Sequence, residues 1–531
     1  MKLRLGLLLL LTLAGGWLRF QSLDFGLPGL YRPDEEYLVS RAVAFEEDLN
    51  PNFAVYPALQ MYLQAAALHT RLWWEDDPRT LSQKLAEEGI ASAHLSGREL
   101  SAGFGTLSVP AMYWATSLTY GPVAALASAA AMAVSTIHVR ESKYATTDAA
   151  ATFWLTLAIG AMLRILSDGR LRYSLLAGGL TGLAIATKYP SGALLAGIAV
   201  AHVGARWREG RSFWRTFRDI RPWLALYMTC LVTFLATPYT FIDWQETVRG
   251  FEYQRGFVAN GVGNPYSSWG WMWFLTQVMP DSFGPELASV LLFAVVWVVF
   301  RPRLGTWSLL AFLAVALLGI TQSRYTFYRY VMVPLPVLLV FFGILADDLR
   351  EGISRVTARL LPQWRPGPLP SIATGMVVVL MLAPCIIRDY KLNRLLGRRD
   401  SRAMALAWIE ESIDRSEAIA ATDHRTPYGK PQLRGRPQLR GVGSPEQMRR
   451  AGIRWILSDS DILPFYSKGP TPAQESWLES EAILRFEVDP RKPDTPKPIF
   501  DQADAFYVPL RHGSSIKRPG PRIRIWELPE K

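Results

Sequence analysis

Apolar runs recur along roughly the first three quarters of the chain and then stop. Segments 3–20, 97–117, 122–138, 149–166, 174–187, 191–205, 222–238, 286–300, 305–320, 327–345 and 370–387 are almost free of charge. A helix rising 1.5 Å per residue needs about 20 apolar residues to cross about 30 Å of hydrocarbon, and most of these runs come close to that, 174–187 and 191–205 being short. The pattern predicts a polytopic α-helical membrane protein with about 11 transmembrane helices. The stretch 57–74 is apolar but interrupted by Gln60, Gln64, His69, Thr70 and Arg71, which predicts a helix lying on the membrane surface inside a large first outer loop.

From Arg388 onward the pattern changes. Helical spacing over 403–412, a strand at 418–422, a Ser-capped helix over 444–451 and strands at 454–457, 483–488 and 523–528 predict a C-terminal soluble α/β domain. The expected division is 1–387 for the membrane domain and 388–531 for the soluble one. The near-repeats Pro431-Gln432-Leu433-Arg434-Gly435 and Pro437-Gln438-Leu439-Arg440-Gly441 read as an exposed, turn-rich loop. Asp423, His424 and Asp459 carry no nucleophile elbow or metal spacing that would make them a hydrolase site.

Composition sharpens this picture. Half of the 531 residues are hydrophobic, yet mean hydropathy is only +0.11, as expected when apolar spans are averaged with a polar region. Met1-Lys2-Leu3-Arg4 and the apolar run after it read as an uncleaved first span. Cys230 and Cys385 fall in apolar segments and read as packing residues, not a disulfide framework. A net charge of +11 raises the question of nucleic acid. The basic residues instead crowd into short loops between apolar runs: Arg206, Arg208, Arg211, Arg215, Arg218 and Arg221, then Arg170 and Arg172, Arg301 and Arg303, and the stretch 350–365. That is the signature of cytoplasmic loops, so no nucleic-acid partner is expected.

With the N-terminus inside and 57–74 not crossing, every basic loop shares the cytoplasmic side. The outer side then collects Asp34, Glu35, Tyr56, His138, Arg140, Glu141, Tyr144, Asp148, Lys188, Tyr239, Tyr325 and Arg329. Carboxylates, cations and tyrosines at one membrane surface suit a reaction between a lipid-phosphate donor and a polar acceptor. Arg or Lys would neutralise the phosphate, and a carboxylate would take the acceptor's proton or hold a divalent metal. The same residues also admit structural readings. Asp34 and its neighbours suit the first turn of a surface helix, Asp148 suits a helix start, the cations can snorkel to lipid headgroups, and a lone His138 lacks metal-ligand spacing. In the outer loop 239–285 the aromatic residues read as an interfacial belt or as a sugar-binding lid, with Glu246, Glu252 and Asp281 as its acids.

Several strings carry a resemblance. Tyr31-Arg32-Pro33-Asp34-Glu35-Glu36-Tyr37, then Tyr56-Pro57-Ala58-Leu59, then Ser96-Gly97-Arg98 leading to Gly105-Thr106-Leu107, resembles the first outer loop and following helix of the type C glycosyltransferases. Within that superfamily the chain is similar to the bacterial polyprenyl-phosphate-sugar transferases, relatives of the protein O-mannosyltransferases and the aminoarabinose lipid A transferases. His138-Val139-Arg140-Glu141-Ser142-Lys143-Tyr144-Ala145-Thr146-Thr147-Asp148 resembles the second outer motif of that family. Thr187-Lys188-Tyr189-Pro190 and Tyr328-Arg329-Tyr330 resemble its Thr-Lys and Arg-Tyr signatures. Ala58 departs from the usual Pro-Pro-Leu.

The resemblance implies an inverting hexosyl- or pentosyltransferase that moves a sugar from a polyprenyl-phosphate donor to a protein, lipid or glycan acceptor on the extracytoplasmic face of a bacterial cytoplasmic membrane. It puts Asp34, Glu35 and Asp148 in catalytic roles and Arg140, Lys188 and Arg329 against the donor phosphate. Tyr56, His138 and Tyr144 would line the cavity, and any divalent Mg or Mn would sit at Asp34 and Asp148. Two other classes compete, a polytopic transporter of lipid-linked sugar and a non-catalytic polyprenyl-lipid-binding assembly protein. The first would place ionisable groups through the middle of the bilayer, whereas here they sit at helix ends.

Overall fold

The computed structural model describes residues 2–210, 218–260, 270–323, 327–360, 367–422, 428–460, 469–501 and 508–530. Two compact units divide them. The first contains residues 1–21, 38–84 and 93–389; the second contains 22–37, 85–92 and 390–531. The step at Asp389/Tyr390 falls two residues from the expected one, but the second unit also takes 22–37 and 85–92 from the N-terminal part.

The first unit is helical. Its main helices are α1 (Lys2–Phe20), α3 (Leu59–Trp74), α5 (Ala91–Ala133), α6 (Thr136–Glu141), α7 (Asp148–Asp168), α8 (Leu171–Thr187), α9 (Leu194–Arg208), α10 (Ile220–Ala236), α11 (Trp244–Asn260), α12 (Met279–Phe283), α13 (Pro285–Phe300), α14 (Thr306–Thr321), α15 (Leu335–Leu360) and α16 (Leu369–Leu396). Helices α2 (Pro33–Ala44) and α4 (Leu81–Glu88) run from one unit into the other. Lys2–Phe20, Asp148–Asp168 and the stretch beginning at Leu369 are long and apolar enough to cross a bilayer, and α10, α13 and α14 are shorter apolar helices. The apolar runs thus became helices.

Local chemistry explains the breaks. The runs 97–117 and 122–138 meet at Gly121, whose φ of 84° and ψ of 179° bend α5 just before Pro122. Stretch 57–74 forms α3, burying Gln60, Met61, Gln64, Ala65, Leu68 and Leu72 on one face. Helices α8 and α10 lie backbone to backbone, because Gly178 and Gly182, four apart on α8, face Ala225 and Thr229 with no room for a Cβ. Thr229 Oγ1 donates to Gly178 O (3.0 Å) and Thr233 Oγ1 to Gly182 O (3.3 Å), the small-residue packing that helices use in lipid.

The second unit is built on a five-stranded sheet of order β2-β1-β3-β5-β4, with β1 (Ile419–Ala421), β2 (Gln438–Arg440), β3 (Trp455–Ser460), β4 (Ile483–Val488) and β5 (Arg522–Glu527). Strands β2, β1 and β3 are parallel, whereas β5 is antiparallel to both β3 and β4. One core joins Ile419, Leu457, Ile523 and Ile525 to Ala405 and Ile409 of α17 (Ser401–Ser412). The other joins Ala420, Ile456 and Trp526 to Met448 of α18 (Pro445–Arg450) and Leu478 of α19 (Pro472–Glu481). Capping boxes at Ser444 with Gln447 and at Thr471 with Gln474 start α18 and α19. The sheet corrects the loop expected for the repeats: the second copy is strand β2, with Gln438 opposite Ile419.

Candidate functional site

The segment leading to Asp148 is fixed from beneath by a buried cation. Arg19, in the last turn of α1, is fully buried. Its Nη1 donates to Gly15 O (2.8 Å) and Ala133 O (2.9 Å), its Nη2 donates to Met132 O (2.9 Å), and Nη2 also lies 2.7 Å from His138 Nδ1. Lys143 Nζ reaches back to the carbonyls of Arg19 (3.1 Å) and Gln21 (2.7 Å). Ser142 Oγ donates to His138 O (2.5 Å), in a space where Gly105 leaves no room for a Cβ. From the other side Gln64 Nε2 of α3 donates to Ala145 O (3.0 Å). A segment tied at residues 138, 142, 143 and 145 has little freedom left, and it delivers Asp148 as the first residue of α7, where the helix dipole favours an anion.

Asp148 Oδ1 accepts from Lys188 Nζ, and both residues are buried. Lys188 stands where α8 ends: its extended backbone (φ −154°, ψ 113°) turns the chain into the 3-10 turn Tyr189–Ala193. Its ammonium lies 5.7 Å from the ring centroid of Tyr330, so the Arg-Tyr string joins the same cluster. Beside it, the Arg329 guanidinium covers the ring of Phe327 at 4.6 Å, and Tyr328 Oη donates to Asp281 Oδ2 (2.8 Å). Arg140 Nε is 3.7 Å from Glu141 Oε1, with both side chains buried. Tyr144 is buried and Tyr56 half-buried, the latter in a small pocket with Asn50, Tyr239, Asp243 and Glu246. Helix α11 of the outer loop packs on that stretch, Gly250 against Ala54 and Phe251 beside the Tyr189 ring (4.9 Å).

Asp34 and Glu35 lie in the first turn of α2 behind Pro33, within the second unit. Glu35 is buried and Asp34 partly so. Asp148, Lys188, Tyr330 and the Arg329 string therefore form one cluster in the first unit, while the acidic string belongs to the second. Two placements differ from the sequence reading. His138 has its Nδ1 on Arg19, which gives it an anchoring contact where a cavity-lining one was expected. Asp281, one of three acids between which no motif could choose, is the one that reaches the Arg-Tyr string. Tyr325, Asp423 and His424 lie outside the described residues. Sequence reasoning missed Arg19; the signal was a lone arginine at the end of an otherwise apolar span, a position where an unpaired charge would be costly.

The metal expectation finds no fitting ligand set. Asp148 already holds an ammonium, and among the described residues no three His, Cys, Asp or Glu side chains converge.

Residues 49–245 match the family model of dolichyl-phosphate-mannose-protein mannosyltransferase, a window holding Tyr56, His138, Arg140, Tyr144, Asp148 and Lys188. No curated protein matches. Among solved structures, ArnT from Cupriavidus metallidurans bound to undecaprenyl phosphate is similar, at 13% identity and a TM-score of 0.51 over 99% of this chain and 97% of that one. The oligosaccharyltransferase AglB from Archaeoglobus fulgidus, in complex with an inhibitory peptide and a dolichol-phosphate, aligns at 11% identity and a TM-score of 0.51 over 92% of this chain and 73% of that one. Over residues 49–245 the chain is thus similar to the mannosyltransferase family, and its helical fold is similar to those of ArnT and AglB.

Proposed function

We propose that this protein is an inverting glycosyltransferase that takes a sugar from a polyprenyl-monophosphate donor and delivers it to a hydroxyl or amine of a protein, lipid or glycan on the extracytoplasmic side of the cell membrane. The observation that carries the reading is the buried Lys188–Asp148 pair at the helix ends of the mannosyltransferase-type domain. A lysine held against a carboxylate in an apolar helical unit is suited to receive a second anion, and a lipid phosphate is the anion available there. Arg140 and Arg329 are the further phosphate contacts.

In this mechanism the acceptor heteroatom attacks the anomeric carbon from the side opposite the phosphate. Asp34, with Glu35 beside it, withdraws the acceptor's proton. The bond between the anomeric carbon and phosphate oxygen breaks, and its electrons stay on the polyprenyl phosphate. Lys188 and the arginines neutralise that leaving group, while Asp148 orients Lys188. Configuration inverts because a single displacement occurs. Tyr144 and the aromatic outer loop shield the reacting centre from water.

The test uses the purified full chain in lipid nanodiscs with a panel of polyprenyl-phosphate hexoses and pentoses. Sugar release or transfer is followed by mass spectrometry, in wild type and in Lys188→Ala. Turnover of at least one donor by wild type, lost in the variant, is the expected result; a wild type inert towards the whole panel would overturn the reading.

A further inference from the structure

Within the second unit, the soluble domain grips the acidic string on both of its sides. Upstream, Leu30 N donates to Gln432 Oε1 (3.1 Å) and Gln432 Nε2 donates to Leu30 O (2.6 Å), so that one side-chain amide serves residue 30 as a strand partner would. Gln432 comes from the first of the two near-repeats. At residue 31, the guanidinium of Arg402 lies 3.7 Å from the Tyr31 ring centroid. Arg402 is itself immobilised, fully buried, with Nε and Nη2 on the Asp400 carboxylate (2.9 and 2.7 Å) and Nη1 on Tyr428 O (2.5 Å). Downstream, Tyr428 Oη donates to Glu36 Oε2 (3.0 Å). Burial first and then Glu36 push the Tyr428 hydroxyl well above the ordinary phenol range, so it stays a donor at any working pH.

We propose that the soluble domain sets the working position of Asp34 and Glu35, with Gln432, Arg402 and Tyr428 as positioning residues that hold the string at residues 30, 31 and 36. The proposal rests on the catalytic reading of Asp34 given above. Its physical basis is that ordering a loop residue costs about 1–2 kcal/mol of backbone entropy, which contacts outside the loop must offset before substrate arrives. A general base displaced by about 1 Å loses about 100-fold in rate. The domain's part is then needed for every acceptor, water included, and is not confined to recruiting one of them.

Hydrogen exchange and turnover, measured on the full chain in nanodiscs, separate the grip from the function. Gln432→Ala is expected to speed amide exchange over residues 31–37 by about tenfold, while β3 and β5 exchange as in wild type, because only the local opening changes. On polyprenyl-phosphate sugars with water as acceptor, the same variant should lose about 10- to 100-fold in kcat at unchanged donor KM. Gln432→Glu keeps the acceptor for Leu30 N but loses the donor, and should fall between. Tyr428→Phe should move both readouts in the same direction. Unchanged exchange over 31–37 in Gln432→Ala would overturn the proposal, and so would faster exchange with undiminished kcat. Should wild type turn over no donor at all, the catalytic reading fails and the proposed positioning role falls with it, while exchange still reports whether the grip exists.

Discussion

The two acid-bearing segments are held in opposite ways. Residues 138–148 are tied from within the helical unit by charge: Arg19 against His138, Lys143 on the carbonyls at the end of α1, and Lys188 on Asp148 itself. Residues 30–36 are tied from the C-terminal sheet domain by an amide, a cation over a ring and a phenol that donates to Glu36. A carboxylate whose oxygen holds an ammonium orients that ammonium well and accepts a proton only by giving it up. In the proposed mechanism Asp148, through Lys188, organises the phosphate end of the reaction and Asp34 serves the proton end.

The largest expected effect breaks or confirms that division. Asp34→Asn keeps shape and removes the base, so transfer should fall by about 10²- to 10⁴-fold with the melting temperature unchanged. Asp148→Asn should instead reveal itself in stability, because it leaves the Lys188 ammonium buried without its counter-charge at a cost of about 3–5 kcal/mol. Adding Lys188→Met to Asp148→Asn should recover most of that stability and none of the transfer, read by thermal denaturation beside the turnover assay. If instead Asp34→Asn transferred normally, and Asp148→Asn abolished transfer at wild-type stability, the roles assigned to the two acids would have to be exchanged.

A smaller effect is expected at the base of the 138–148 segment. Arg19→Lys keeps the charge but not the planar fork that reaches Gly15, Met132, Ala133 and His138 together. Lost bonds at buried carbonyls cost about 1–3 kcal/mol, and the melting temperature should drop accordingly. Transfer by the folded fraction should fall less than in Asp34→Asn. A full loss of transfer at unchanged stability would instead make Arg19 part of the reacting site.

Much of this was legible in the residues. Apolar runs announced the helices, the gap between the runs 97–117 and 122–138 falls at the bend in α5, and the strings 454–457, 483–488 and 523–528 foretold β3, β4 and β5, with β3 running three residues further than expected. The Asp148 and Lys188 strings were visible as charges at the ends of apolar runs, and the structure joins them. What stayed hidden is what long range decides. Nothing near Gln432 says that its partner lies at Leu30, and a helical period cannot say which carbonyls Arg19 will find. The three-residue strand β2 has no pattern of its own, being defined by its neighbour β1. Turn-like Pro and Gly dominated the reading of the near-repeats because local propensity is all that a sequence offers there.

The finest test concerns the Arg-Tyr string. Tyr328 and Asp281 are both buried, and the phenol donates to the carboxylate across 2.8 Å, which ties the outer loop to the residue beside Arg329. Tyr328→Phe keeps the ring and removes the donor, a loss of about 1.5–3 kcal/mol for a bond to a charged group. If Arg329 contacts donor phosphate, part of that loss should appear as a donor KM raised by about three- to tenfold, with kcat nearly unchanged, since a phosphate contact present in both ground and transition states acts through binding. Asp281→Asn in the Tyr328→Phe background should add little, because the two side chains act as one contact. A donor KM identical to wild type would separate this string from the phosphate and leave Lys188 and Arg140 to hold it.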